Sequence, residues 1–224
     1  MRDYYVMSIE TGRNILDTTR GLASFLFHQL DDINDDDKLI PESKYINKEA
    51  QTIYLSTINF RKFNFSIRSI IDMYIVSNEM LDLIDEFGIK IKNRYNLIVV
   101  NSKKSNELLV GRYFLVKFQE DNFYDVLNLK TSIFEQEYPD TIDDVTRLEL
   151  KNDILIDFII ISELRMNLKT PICSGEFKDQ YELLKLKGVS FFAINTAPWL
   201  SGTRMEIEHI KDETGESKPF VNPL

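Results

Sequence analysis

Two stretches of this chain read alike, and they constrain its fold more than any other feature. They are "IVSNEMLDLIDEFG" at 75–88 and "PICSGEFKDQYELL" at 171–184. Each sets a β-prone pair (Ile75-Val76; Ile172-Cys173) ahead of a serine, and Ser77 and Ser174 stand 97 residues apart. Serine is a favoured N-cap because its hydroxyl accepts from a free N–H of the first helical turn. Glu79 and Glu176 follow two residues on, where the positive end of the helix dipole favours a carboxylate. Met80, Ile84 and Phe87 then fall where Phe177, Tyr181 and Leu184 fall, at the spacing of one helix face. Gly88 closes the first helix, and Gly188 the second about a turn later. A β-rich run follows each time, "YNLIVV" (95–100) and "VSFFAI" (189–194). The predicted unit is strand, capped helix, strand, used at 73–100 and again at 170–194.

Around these units the chain mixes strands and helices without regular alternation. That points to α+β, a mixed and mostly antiparallel sheet with a few packed helices, and away from a doubly wound parallel fold. "YYVMSI" (4–9) reads as a strand. Residues 18–30 carry a helical stripe through Leu22, Phe25, Leu26 and Leu30, with Asp17 as its cap. "QTIYLSTINF" (51–60) fits a strand or a short helix. "NSKKSNELLVG" (101–111) reads as a turn region, and "RYFLVKF" (112–118) as a strand. "TSIFEQE" (131–137) and "VTRLELK" (145–151) read as strands around a Pro139-Asp140 turn. "ILIDFIII" (154–161) has the continuous apolar character of a buried central strand. No Pro/Gly/Ser linker interrupts the chain. One domain over 1–224 is therefore expected, with an N-terminal subregion (1–70), a β-rich region (71–200) and a mobile tail (211–224).

Composition narrows the function classes. The chain has 224 residues, is 43% hydrophobic and carries a net charge of −9. That is a cored protein with the wrong sign for binding nucleic acid directly. The charge suits a basic protein partner. Cys173, the one cysteine, excludes an internal disulfide framework and reads as a small core residue. The N-terminus lacks an apolar export signal, and no apolar run reaches membrane-spanning length. Cytoplasmic location is expected, with no membrane association.

The chemistry-bearing patterns are weak. "PDTIDDVTRLELK" (139–151) contains Asp140, Glu149 and Lys151 in the order of a metal-dependent nuclease, where two carboxylates hold a divalent ion and a lysine assists water. Pro-Asp is also a common turn dipeptide, and an exposed hairpin with an ion pair accounts for the same residues. "DDINDDDK" (31–38) lacks the glycine and glutamate of a calcium loop. It reads instead as a solvated loop or as an acidic patch that docks on a basic partner. His28 and His209 are far apart and no Cys/His metal spacing exists. No nucleophile elbow, P-loop or dinucleotide fingerprint is present. No cofactor, metal or catalytic set is expected. Trp199, the single tryptophan, suits either an interface anchor or a lid on a small core.

The stretches "YYVMSIE" (4–10), "DDINDDDKLIPESKYINKEAQTIYLS" (31–56), "YIVSNEML" (74–81) and "GRYFLVKF" (111–118) resemble the bacterial polymorphic-toxin immunity proteins of immunity protein family 43. The doubled unit "VSNEMLDLIDEFG" and "CSGEFKDQYELLKLKG" is also similar to the sister family, immunity protein 11. That family has an acidic stretch between its units, which "DDVTRLELKND" (143–153) fills in part. The resemblance spans roughly residues 3–200. It implies a non-enzymatic α+β protein that binds and neutralises the C-terminal domain of a toxin encoded beside it, and it carries over no catalytic residue. With the acidic charge, it directs attention to Asp31, Asp32, Asp35, Asp36, Asp37 and Trp199 as toxin-facing residues. The alternative is a nuclease using Asp140, Glu149 and Lys151.

Overall fold

The computed structural model describes residues 2–9, 23–26, 52–57, 63–70, 73–101, 104–165, 169–199, 221 and 224. Its strands are β1 (Tyr4–Ile9), β2 (Ala23–Leu26), β3 (Thr52–Thr57), β4 (Ile67–Ile70), β5 (Met73–Ser77), β6 (Ile91–Asn101) and β7 (Lys104–Phe118), followed by β8 (Ile133–Glu135), β9 (Asp144–Arg147), β10 (Phe158–Ile159), β11 (Ile172–Ser174) and β12 (Val189–Ala193). The helices are α1 (Asn78–Glu86), α2 (Phe123–Val126) and α3 (Gly175–Leu183). The fold is α+β with mostly antiparallel sheets.

One domain was expected from the absence of a linker, but the chain divides into two compact units. A central unit holds Glu10–Phe118 and Leu186–Gly188. A terminal unit holds Met1–Ile9, Gln119–Lys185 and Val189–Leu224. The division escapes a linker search because one unit is inserted within the other in sequence.

The central unit carries a sheet in the order β2-β3-β6-β7-β5-β4, and the terminal unit one in the order β10-β11-β1-β12. β7 is antiparallel to both β5 and β6, and β1 is antiparallel to both β11 and β12. In each unit a helix therefore joins two parallel strands that are held apart by an antiparallel third, the split βαβ arrangement. α1 packs on β5 and β7, and α3 on the corresponding β11 and β1.

The correspondence extends to register. Ser77 opposes Tyr113, and Ser174 opposes Tyr4. Tyr95 and Asn96 pair with Leu115 and Phe114. Phe192 and Ala193, 97 residues further on, pair with Val6 and Tyr5. The Ser77 N–H donates to the Ser66 carbonyl at 2.8 Å, and the Ser174 N–H to the Asp157 carbonyl at 3.0 Å. The Tyr113 hydroxyl donates to Phe63 O at 3.0 Å, and the Tyr4 hydroxyl to Ile154 O at 2.8 Å. Both acceptor pairs are 91 residues apart. Shared hydrogen bonds at fixed offsets define one architecture built twice. The units differ in where the middle strand comes from: β7 follows β6 along the chain, whereas β1 arrives from the N-terminus.

Strand alternation sends side chains to both faces of each sheet, and β5 and β11 are buried on both. In the central unit Ile53, Leu55, Ile75, Leu97, Val99 and Leu115 share a core with Phe63, Phe65 and Tyr113. In the terminal unit Tyr4, Val6, Ile159 and Ile172 meet Phe123 and Val126 of α2 and Val145 of β9. On the other terminal face, Phe177 of α3 lies against Phe158 at a ring separation of 5.4 Å, and Tyr181 against Phe191 at 5.2 Å. Cys173 is fully buried there, and burial pushes its thiol far above the usual range.

Several elements differ from the sequence reading. Within 18–30, where a helix is expected, Ala23–Leu26 is a strand antiparallel to β3. The stripe is short, and a sheet edge offers its backbone partners. In 101–111 a turn is expected, yet Lys104–Phe118 is one strand. Leu109 packs against the central core, while Leu108 and Val110 on the other face are exposed. The 154–161 run is no central strand. Phe158–Ile159 pair with β11 at the sheet edge, Ile161 forms an isolated bridge with Asp121, and Leu155 is 79% exposed. The expected mobile tail is anchored at both of its described positions, Val221 and Leu224, which are buried.

Candidate functional site

The acidic cluster Asp31, Asp32, Asp35, Asp36 and Asp37 lies outside the described residues, as do His28 and His209. Trp199 is described. It is half-buried against the terminal-unit core, and its indole N–H is buried without a hydrogen-bond partner among the described residues.

Asp140, Glu149 and Lys151 have different settings. Asp140 is exposed in the turn between β8 and β9. The Glu149 carboxylate faces Arg147 at 3.4 Å. The Lys151 ammonium donates to the Tyr124 carbonyl at 2.7 Å. Among the described residues no group of three His, Cys, Asp or Glu side chains could hold a metal ion, and no helix is long and apolar enough to cross a membrane.

A polar network does form at the start of α3. The Ser174 hydroxyl accepts from Phe177 N–H at 3.2 Å as N-cap and donates to Asp157 Oδ1 at 2.6 Å. Arg2, brought in by β1, donates to that same Asp157 oxygen, to Leu155 O at 2.9 Å and to Glu176 Oε2 at 2.7 Å. The hydrogen bond from Arg2 holds the Glu176 carboxyl below its ordinary range. Each donor has an acceptor, so the network ties β1 to the helix. At α1 the Ser77 hydroxyl accepts from Met80 N–H at 3.2 Å.

The terminal unit also concentrates negative charge. Residues 119–165 contain twelve Asp and Glu against four Lys and Arg, so this one segment carries most of the chain's net −9. The ribbon β8–β9 and its connecting turn hold Glu135, Glu137, Asp140, Asp143 and Asp144. Arg165 offsets part of this by pairing with Glu137 at 3.0 Å and with Asp143. In the sequence this stretch reads as a nuclease pattern and, over 143–153, as part of an acidic stretch; a running charge count extends the acidity to all of 119–165.

No protein-family model matches the chain, and no curated protein matches it.

Proposed function

We propose that this α+β chain is an immunity protein. It binds the C-terminal toxin domain of a bacterial polymorphic toxin encoded beside it, and blocks that domain's active site or substrate surface inside the producing cell. The observation that carries this is the concentration of negative charge, in the segment 119–165 and again in the five aspartates of 31–37. A toxin acting on nucleic acid or on a phosphate-bearing cofactor needs a positive cleft, and an acidic protein is drawn to such a cleft and fills it. The resemblance to immunity protein families 43 and 11 supports the same reading. It assigns the chain no catalysis and no cofactor. The partner is a basic protein domain.

The test is titration of the chain against the purified toxin domain encoded next to it, at two salt concentrations. Nanomolar binding that slows as salt rises is expected. Changing Asp35, Asp36 and Asp37 together to Asn is expected to weaken binding at least about tenfold, or 1.4 kcal/mol. The melting temperature should stay put, because surface substitutions usually move stability by about 0.5 kcal/mol or less. Absence of binding by the wild-type chain would sink the proposal.

A further inference from the structure

The outer side of the β8–β9 ribbon is built like a docking surface. The inner side is occupied: Val145 is buried and Phe134 meets Phe123 edge-on at 6.0 Å. Strand alternation sends Ile133 and Glu135 outward, and Ile133 is 51% exposed. Its cross-strand neighbour is Arg147, whose guanidinium is turned to Thr131 O at 2.7 Å and to Glu149. The turn then presents Tyr138, 57% exposed, between Glu137 and Asp140.

Tyr138 sits on a stiffened turn. Asp143 accepts from the Glu137 N–H and from the Thr141 hydroxyl, and Thr141 N–H donates to Tyr138 O at 3.1 Å. Arg165 clamps the base of the turn through Glu137 and Asp143. With the backbone of the turn fixed, binding has only the two side-chain torsions of Tyr138 to order, which is a small cost for the area a tyrosine ring covers.

Charge selects the occupant. The exposed carboxylates Glu135, Glu137 and Asp140 lie beside the two apolar residues along the chain, with Glu137 partly offset by Arg165. A nucleic acid would be repelled, and a second copy of this chain would bring the same acidic face. We infer that the outer face of the β8–β9 ribbon, centred on Ile133 and Tyr138, docks a basic protein surface. This rests on the function proposed above and places the toxin domain on this face, with Tyr138 as its anchor.

The experiment uses the full chain and the purified toxin domain encoded beside it. Wild type, Tyr138→Ala, the pair Glu135→Gln with Asp140→Asn, and the Asp35/Asp36/Asp37→Asn triple variant are compared by calorimetry and by stopped flow at two salt concentrations. Tyr138→Ala is expected to weaken binding tenfold or more, through faster dissociation, with an unchanged melting curve. The charge pair is expected to slow association severalfold at low salt and much less at high salt. Wild-type affinity in both variants overturns the inference, and if the triple variant alone is weakened, the proposed function survives without it. A wild-type chain that does not bind the domain overturns both.

Discussion

Ser77 and Ser174 cap equivalent helices with the same geometry, each accepting an N–H at 3.2 Å, yet they do not do equal work. Ser77 is a cap. Ser174 is fully buried and also donates to Asp157, which Arg2 holds from its other side. Removing the Ser77 hydroxyl costs one capping bond, about 1 kcal/mol. Removing that of Ser174 costs the cap and a charge-assisted bond, and leaves Asp157 short of a donor, for a total of roughly 2–3 kcal/mol. Denaturant melts of Ser77→Ala and Ser174→Ala should differ accordingly, and equal losses would mean that the Asp157 bond contributes nothing. The caps were legible in the sequence because a cap is local chemistry, settled within four residues. Arg2 was not, because its carboxylate partners lie more than 150 residues away and nothing in "MRDYY" points to them.

The elements divide along the same line. Both helices, and the strands flanking them, stand where the repeated pattern puts them. The first helix also ends where the reading puts it; the second does not. After α1, Gly88 takes φ +63°, with Gly88 N–H donating to Asp85 O at 3.1 Å and Ile89 N–H to Ile84 O at 3.0 Å, a Schellman close. After α3 the left-handed residue is Lys185, at φ 55°, not the expected Gly188. Gly188 serves a separate contact, since a Cβ there would meet Phe65 Cβ at 2.9 Å. The apolar face also shortens: Leu184, matched to Phe87 by spacing, is 50% exposed. A lysine held left-handed costs roughly 1 kcal/mol against glycine. Lys185→Gly should therefore stabilise the chain by up to about 0.5 kcal/mol after its own unfolded-state entropy is counted. Lys185→Ala keeps the strain and should not, and if alanine stabilises as much as glycine, charge rather than backbone conformation is responsible. The misread elements, 18–30, 101–111 and 154–161, share a cause. Each was read from the character of its own side chains, while its state is decided by which backbone lies alongside.

At the scale of the molecule, connectivity was the part least open to sequence. The repeat was visible as strand, helix and strand, but the third strand that completes each copy shows no matching spacing. β7 follows its unit after two intervening residues, whereas β1 precedes its unit by more than a hundred. The terminal sheet thus depends on the first nine residues of the chain for a strand bordered on both sides. Met7 sits within it, fully buried, its N–H donating to Pro171 O at 2.9 Å and its carbonyl accepting from the Thr170 hydroxyl. Met7→Pro deletes that donor and inserts a ring into an inner strand, where proline is not accommodated. Leaving the Pro171 carbonyl unpaired costs about 1–3 kcal/mol before any packing loss. Each unit has its own sheet and core, so the damage should be confined. In native-state hydrogen exchange, amides of β11, α3 and β12 should lose most of their protection, while those of β5, α1, β6 and β7 keep theirs. Uniform loss across both sets would mean that the chain unfolds as one cooperative body. Loss confined to the terminal unit would identify its first strand as the element on which the second copy of the architecture closes.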